Sequence, residues 1–214
     1  MRVVYLHGFA SSPASQKARF FVEHLGQLGF QVSVPDLAEG DFRNLTLTRQ
    51  LKVLDHEVHG EPVILVGSSM GGYIATLFAQ HHPEVQRLVL LAPAFDFYNL
   101  WRRELGPERF AEWQQNGTIN VFHYGEGREV PLGFGIMADA SLHDPFPNCL
   151  QPVLLFHGTR DPVAPSKYSA SFAKAHSNTR LVLLDSGHEL TDVLHLIWPE
   201  VRGFLLDQDV KSEC

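Results

Sequence analysis

Cysteine is scarce in this chain: Cys149 and Cys214 are the whole complement, far apart, and the second is the last residue. That excludes a disulfide framework and a metal site of C-x-x-C spacing. Basic charge is also in deficit, with 17 Lys and Arg against 24 Asp and Glu and a net charge of -7. No long run of one sign occurs, so a surface for nucleic acid or another polyanion is not expected. Nor does any stretch approach the roughly 20 apolar residues of a membrane span. The apolar start, Met1 to Leu6, is interrupted by His7 and Gly8 too early for a signal peptide. With so few cysteines, this predicts a reducing compartment and a cytoplasmic protein. Twelve histidines are present but H-E-x-x-H is absent and most of them are scattered, so neither a metal nor another cofactor is expected.

What the chain does have is enough apolar material, 44% of 214 residues, for one globular domain with a real core. Short runs rich in Val, Leu and Ile read as buried strands: Arg2 to Leu6, Gln31 to Val34, Val63 to Val66, Arg87 to Leu91, Val153 to Phe156 and Leu181 to Leu184. Between them, apolar residues at three and four spacing mark helices, as in Phe21, Leu25 and Leu28, or Leu47, Leu51 and Leu54, or Ile74, Leu77 and Phe78. Strands without polar alternation, separated by helices, predict an α/β protein whose parallel sheet is covered on both faces. One connection, approximately residues 93–150, is far longer than a helical crossover needs and reads as an insertion. Within it the spacing predicts an amphipathic helix or helix pair around Gly106-Pro107 and a hairpin over Ile119 to Val130. Asp207 to Cys214 read as a polar, fraying end.

Directly after the third predicted strand stands Gly67-Ser68-Ser69-Met70-Gly71-Gly72, and a helical pattern follows. This is G-x-S-x-G in the strand-turn-helix context that such a nucleophile requires, because a sharp, strained turn tolerates only small neighbours. The glycine spacing selects Ser69 over the adjacent Ser68. A phosphate-binding turn is the competing reading, but the Lys-Ser/Thr ending of a P-loop and the spacing of a dinucleotide fingerprint are both missing. A serine hydroxyl needs a base, and the base needs an acceptor on its other nitrogen. Downstream, His157-Gly158-Thr159-Arg160-Asp161 and Asp185-Ser186-Gly187-His188 each follow a predicted strand, at the sheet end where open α/β proteins place their sites. The triad read from this order is Ser69, Asp161 and His188, with Asp96 as an alternative acid. Asp185 reads as a strand-end residue, Asp192 as the N-cap of the last helix, and Glu189 as a solvated neighbour.

The chain order Ser, Asp, His, the elbow, and the opening Tyr5-Leu6-His7-Gly8-Phe9-Ala10-Ser11-Ser12-Pro13 together resemble the α/β-hydrolase superfamily. The opening is similar to that of small bacterial serine esterases beginning H-G-F-x-S-S-P. The resemblance implies an α/β-hydrolase fold of about six mostly parallel strands, without the antiparallel edge pair of larger members, and an insertion placed where relatives carry a cap. It implies an oxyanion hole made by the amides of Phe9 and Met70, with His7 supporting the loop. The expected substrate is a small-molecule oxyester or thioester, cleaved through an acyl-enzyme. Phe95, Tyr98, Trp101, Phe134 and Met137 are candidates to line the acyl pocket, although an aromatic stripe of this kind also suits a small core. Trp101-Arg102-Arg103 could present a cation to a carboxylated substrate. Other triad activities, a carbon-carbon hydrolase or a cofactor-free peroxidase, and a non-catalytic small-molecule receptor share these motifs.

Overall fold

A computed structural model describes residues 1–206; the tail expected to fray lies outside the described residues. In chain order the elements are β1 (Arg2–Leu6), α1 (Gln16–Gln27), β2 (Gln31–Ser33), α2 (Leu47–Val58), β3 (Val63–Ser68), α3 (Met70–Ala79), β4 (Val85–Leu91), α4 (Phe97–Asn116), β5 (Thr118–His123), β6 (Arg128–Gly133), α5 (Gly135–Ala140), β7 (Val153–Gly158), α6 (Ser166–Ala175), β8 (Thr179–Leu184) and α7 (Leu194–Leu206). Six strands form one sheet in the order β2-β1-β3-β4-β7-β8, every neighbouring pair parallel. The register aligns Leu6, Gly67, Leu90 and Leu155 in a row, so the carboxyl ends of four strands open onto one edge.

Side chains alternate across a strand, and the core divides accordingly. Val3, Tyr5, Ile64, Val66, Val89 and Phe156 face α1 and α7, through Phe21, Leu25, Ile197 and Val201. Val4, Leu6, Leu65, Leu88, Leu90 and Leu155 face the other way, onto α2, α3 and α6. Because both faces are covered, the strands carry no polar alternation, which is why they read as continuous apolar runs. Two helices begin on caps visible in the sequence. Ser15 Oγ accepts from the Ala18 amide and Thr46 Oγ1 from the Arg49 amide, satisfying first-turn donors that would otherwise lack partners.

Order and direction fix where a site can lie. From β1 the chain runs outward to β2, then returns past β1 to β3 and continues outward through β4, β7 and β8. The reversal leaves a crevice beyond the carboxyl ends of β1 and β3, the switch point at which open α/β sheets bind ligands.

The insertion between β4 and β7 holds α4, the antiparallel pair β5 and β6, and α5. Gly106, at φ 73° and ψ 168°, and Pro107 break α4 into two helical pieces, since proline cannot continue the backbone ladder. The insertion has no separate core: Trp113, Val130, Leu132, Ile136 and Met137 join the cluster that contains α2 and α3. It is also tied down by polar bonds. The Trp113 Nε1 group donates to Leu132 O at 3.2 Å, and Thr48 donates to Asp139 from both its amide and its hydroxyl, at 2.9 and 2.6 Å.

Candidate active site

Ser69 joins β3 to α3 at φ 53° and ψ −118°, a conformation that a non-glycine residue keeps only when its surroundings over-determine it. They do so here. Its amide donates to Leu91 O at 2.9 Å, and its carbonyl accepts from Gly72, Tyr73 and Ala94 at 3.0, 3.1 and 3.0 Å. The flanking glycines are required by close backbone approach. A Cβ on Gly71 would lie 2.2 Å from Leu6 O, and one on Gly67 would lie 2.4 Å from Gly71 O.

The structure brings Ser69, His188 and Asp161 together from three different loops. His188 Nδ1 is 2.7 Å from Asp161 Oδ2, and His188 Nε2 is 2.9 Å from Ser69 Oγ. Asp161 has no solvent-exposed side chain, and its Oδ1 accepts from the Val163 and Ala164 amides at 2.8 and 2.9 Å. Burial alone would push the carboxyl up. The neighbouring His157 and His188 N–H groups and the Ala164 amide outweigh it and hold Asp161 well below the usual carboxylate range. An ionised carboxylate can only accept, so His188 carries its proton on Nδ1 and leaves Nε2 free to accept the serine hydroxyl. Asp96 is elsewhere: its carboxylate accepts from Asn99 Nδ2 at 2.8 Å at the start of α4.

The loop after β1 lies against the serine. A Cβ on Gly8 would sit 3.4 Å from Ser69 Cβ. None of the hydrogen bonds among the described residues uses the Phe9 amide, and Met70 is the first residue of α3, where an amide has no intrahelical acceptor. Met70 follows Ser69 in the chain, and Phe9 follows Gly8, which packs on the serine. His7 is buried, and burial holds its imidazole below the usual range. In neutral form it donates from Nδ1 to Gly8 O at 2.9 Å and accepts the Leu37 amide on Nε2 at 3.4 Å, tying the loop to the segment after β2. From the insertion, the Tyr124 amide donates to Ala10 O at 2.8 Å.

The acid and histidine loops are laced to each other. Thr159 N donates to Leu184 O, Arg160 N to Ser186 O, and Arg160 Nε to Asp185 at 2.7 Å. A Cβ on Gly158 would meet Ser186 O and Gly187 O at 2.4 Å, so this glycine permits the contact. Asp192 lies inside a 3-10 turn ahead of α7, where it accepts the Ser186 hydroxyl; the expected N-cap role is not what it does. Glu189 pairs with Lys17 of α1, whose buried ammonium donates to Glu189 O at 2.8 Å and so anchors the backbone next to His188. Lys17, His157 and Ser169 were not singled out by sequence. A lysine on the apolar face of α1 was the one available signal.

Of the five residues expected to line a pocket, Trp101 reaches the loop after β1, with its ring edge-on to Phe9 at 5.2 Å. Phe134 and Tyr98 both pack against Phe110. Phe95 stacks on Phe172 at 4.5 Å, and Phe95 and Met137 are wholly buried in the core. Arg102 lies over Tyr98 and Phe110 and Arg103 over Tyr168, along an open cleft of about 470 Å³. Cys149 is buried and its thiol is pushed up to about 11, so it is no rival nucleophile. Among the described residues, no group of three or more His, Cys, Asp or Glu side chains could hold a metal ion, and no helix is long and apolar enough to cross a membrane.

This is the α/β-hydrolase fold, as solved structures show. Est1E from Butyrivibrio proteoclasticus superposes with a TM-score of 0.81 at 22% identity, over 98% of this chain and 88% of that one. Mouse alpha/beta hydrolase domain-containing protein 10 gives 0.81 at 22% identity, over 95% and 89%. Within that fold, the chain belongs to the uncharacterised protein family UPF0227, whose model matches residues 2–204. By sequence it is 28% identical over 179 residues to human palmitoyl-protein thioesterase ABHD10, mitochondrial, and 30% identical over 187 residues to the mouse protein of that name. These alignments cover 76% and 80% of this chain but 58% and 62% of the relatives.

Proposed function

We propose that the protein is a serine hydrolase cleaving carboxylic oxyesters or thioesters through an acyl-enzyme. One observation carries this reading: the unbroken path from Ser69 Oγ through His188 to Asp161, at 2.9 and 2.7 Å, beside two unengaged amides. His188 Nε2 takes the Ser69 proton as Oγ forms a bond to the acyl carbon. The carbonyl oxygen becomes anionic and is held by the Phe9 and Met70 amides and the α3 N-terminus. His188 then gives its proton to the departing alcohol or thiol as that bond breaks. Water, deprotonated by His188, attacks the acyl-enzyme, and Ser69 leaves with the proton returned to it. Throughout, Asp161 stays ionised and holds the imidazole in one orientation.

The segment between β4 and β7 acts as the cap, with Trp101 as a wall of the acyl site beside Phe9. The relatives named palmitoyl-protein thioesterase favour a long acyl chain and a thiol leaving group. An active-site-directed phosphonate separates enzyme from receptor: it should modify wild type and leave Ser69→Ala unmodified. A panel of p-nitrophenyl esters and acyl thioesters of graded chain length then assigns the class. Folded protein that neither labels nor turns over any member would overturn the proposal.

A further inference from the structure

Asp161 has a second histidine on it. His157, at the end of β7, is completely buried, and its Nε2 is 3.1 Å from Asp161 Oδ2, the same oxygen that His188 uses. Nε2 is also 2.7 Å from Ala164 O. A carbonyl only accepts, so Nε2 must carry a proton; it donates that proton to Ala164 O, with the carboxylate oxygen beside it at 3.1 Å. On the other side of the ring, Nδ1 is 2.7 Å from Ser169 Oγ, also wholly buried. A neutral ring protonated at Nε2 has its lone pair at Nδ1, so the Ser169 hydroxyl donates to it. Hydrogen bonds therefore run from Ser69 to His188 to Asp161 on one side, while on the other Ser169 bonds to His157, whose Nε2 N–H donates to Ala164 O and lies 3.1 Å from Asp161 Oδ2. Two serine-histidine arms meet at one carboxylate oxygen.

We propose that His157, oriented by Ser169, is a positioning residue for the acid: its buried Nε2 N–H, held 3.1 Å from Oδ2, fixes the Asp161 carboxylate and sets electrostatically how strongly that oxygen holds the His188 proton. The inference deepens the serine-hydrolase reading and rests on it. The second arm is not needed to bury Asp161, whose Oδ1 already has two amide donors. What it adds is a positive N–H dipole beside the one oxygen that His188 uses. Other groups facing the pair are few. Lys17 of α1 acts on Asp161 at longer range and is engaged by Glu189. Arg160 and Asp185 pair with each other in solvent. Neither pair changes when His157 is replaced.

Removing the His157 donor leaves Oδ2 to His188 alone, so the imidazolium of His188 is held more tightly and loses its proton at higher pH. His157→Leu should therefore move the acid limb of kcat/KM upward by about half a pH unit or more, with a lower kcat. His157→Gln keeps an N–H near the Nε2 position and should restore the wild-type limb, even at reduced kcat. Ser169→Ala should shift the limb the same way by less, since the His157 N–H becomes a weaker donor without a hydroxyl on Nδ1. A purely structural role would lower kcat and leave every limb in place; that result, or equal shifts in His157→Leu and His157→Gln, would overturn the proposal.

A second readout needs no turnover and no variant. In wild-type protein labelled with 15N-histidine, long-range proton-nitrogen correlations should show His157 protonated at Nε2 and His188 at Nδ1. His157 protonated at Nδ1 alone would remove the donor and end the inference. Failure of phosphonate labelling would instead end the hydrolase reading, leaving the tautomer result to stand by itself.

Discussion

Replacing Asp161 by Asn changes one atom type, and the geometry dictates which way the new amide must face. Oδ1 receives two backbone N–H groups, from Val163 and Ala164, so only the amide oxygen fits there. The NH2 is thereby turned onto His188 Nδ1, 2.7 Å away. Since an amide nitrogen only donates, His188 must accept at Nδ1 and carry its proton on Nε2, pointing at Ser69 Oγ. The base is then protonated on the wrong nitrogen. His157 keeps Ala164 O as acceptor, but its Nε2 N–H then faces the new amide nitrogen at 3.1 Å, donor against donor, so some stability is lost as well. Substitutions that impose this tautomer in a serine-histidine-aspartate site lower kcat by about 10⁴, which corresponds to about 5.5 kcal/mol of activation free energy.

KM should change little, because Asp161 is enclosed and does not reach the acyl site. The assay is kcat and KM on p-nitrophenyl acetate, with the rate of phosphonate labelling as an independent measure and circular dichroism to verify folding. The reasoning is refuted if folded Asp161→Asn keeps more than about a tenth of wild-type kcat, against the expected 10⁴ loss. It is refuted equally if Asp96→Asn proves the more damaging change. Asp96 bonds to Asn99 at the start of α4 and makes no contact with His188, so its removal should leave kcat nearly intact.

Because the folded Asp161 carboxyl is held below its ordinary range, acidification protonates it first in the unfolded chain. Its stabilisation is full above about pH 5 and is lost as pH falls through and below about 4. The urea midpoints of wild type and Asp161→Asn should therefore converge in acid; divergence would contradict the shift. Gly71→Ala places a methyl group 2.2 Å from Leu6 O and should abolish soluble expression or cost several kcal/mol. Gly26→Ala, with nothing within 4 Å of the added Cβ in α1, should raise stability by about 0.5–1 kcal/mol in the same denaturation assay. Lys17→Met removes a charged donor to the Glu189 carbonyl and should cost about 1.5–3 kcal/mol, towards the low end because Glu189 itself is solvated. A variant as stable and active as wild type would show that Lys17 anchors nothing. Gly125→Val forces the hairpin against Ser12, 2.8 Å from the added Cβ, and should lower kcat more than it raises KM; a pure KM effect would disconnect the hairpin from the oxyanion loop.

Most of the sheet was legible because the inner strands β1, β3, β4 and β7 are buried on both sides and so read as apolar runs, and because the elbow glycines have a steric cause that leaves a sequence trace. The break in α4 was legible for a similar reason, since Gly106-Pro107 interrupts any helix. Strand ends were read short: β4 begins at Val85 and β8 at Thr179, ahead of Arg87 and Leu181, because Gln86, at a register irregularity, breaks the apolar run in β4 and the paired polar residues Thr179 and Arg180 open β8. Triad residues fall at strand ends and could be assigned by order. Which acid faces His188 depended on loop geometry that no spacing encodes. His157 was written into the same run as Asp161, but its role depends on Ser169, twelve residues on in α6 and brought within 2.7 Å only by the fold. Lys17, from the opposite end of the chain, meets the histidine loop only because α1 packs on the face of the sheet that the loop crosses.

The insertion cannot be treated as a specificity element laid over an independent catalytic sheet. Ala10 stands at φ 51°, a conformation disfavoured for alanine, immediately after the residue whose amide would bind the oxyanion. The sheet does not hold it there, because β1 ends at Leu6. Contacts from the insertion do: the Tyr124 amide on Ala10 O, and the Phe97 and Trp101 rings against Phe9. His7, bonded to Leu37, constrains the loop from the other side. An oxyanion donor must sit within a few tenths of an ångström of the developing charge to be effective. Under the proposed function, the same segment that would shape the acyl site also fixes the amide that would stabilise the transition state. Variation in the insertion should therefore appear in kcat as well as in substrate preference, and relatives that change the hairpin would need a compensating hold on the loop after β1.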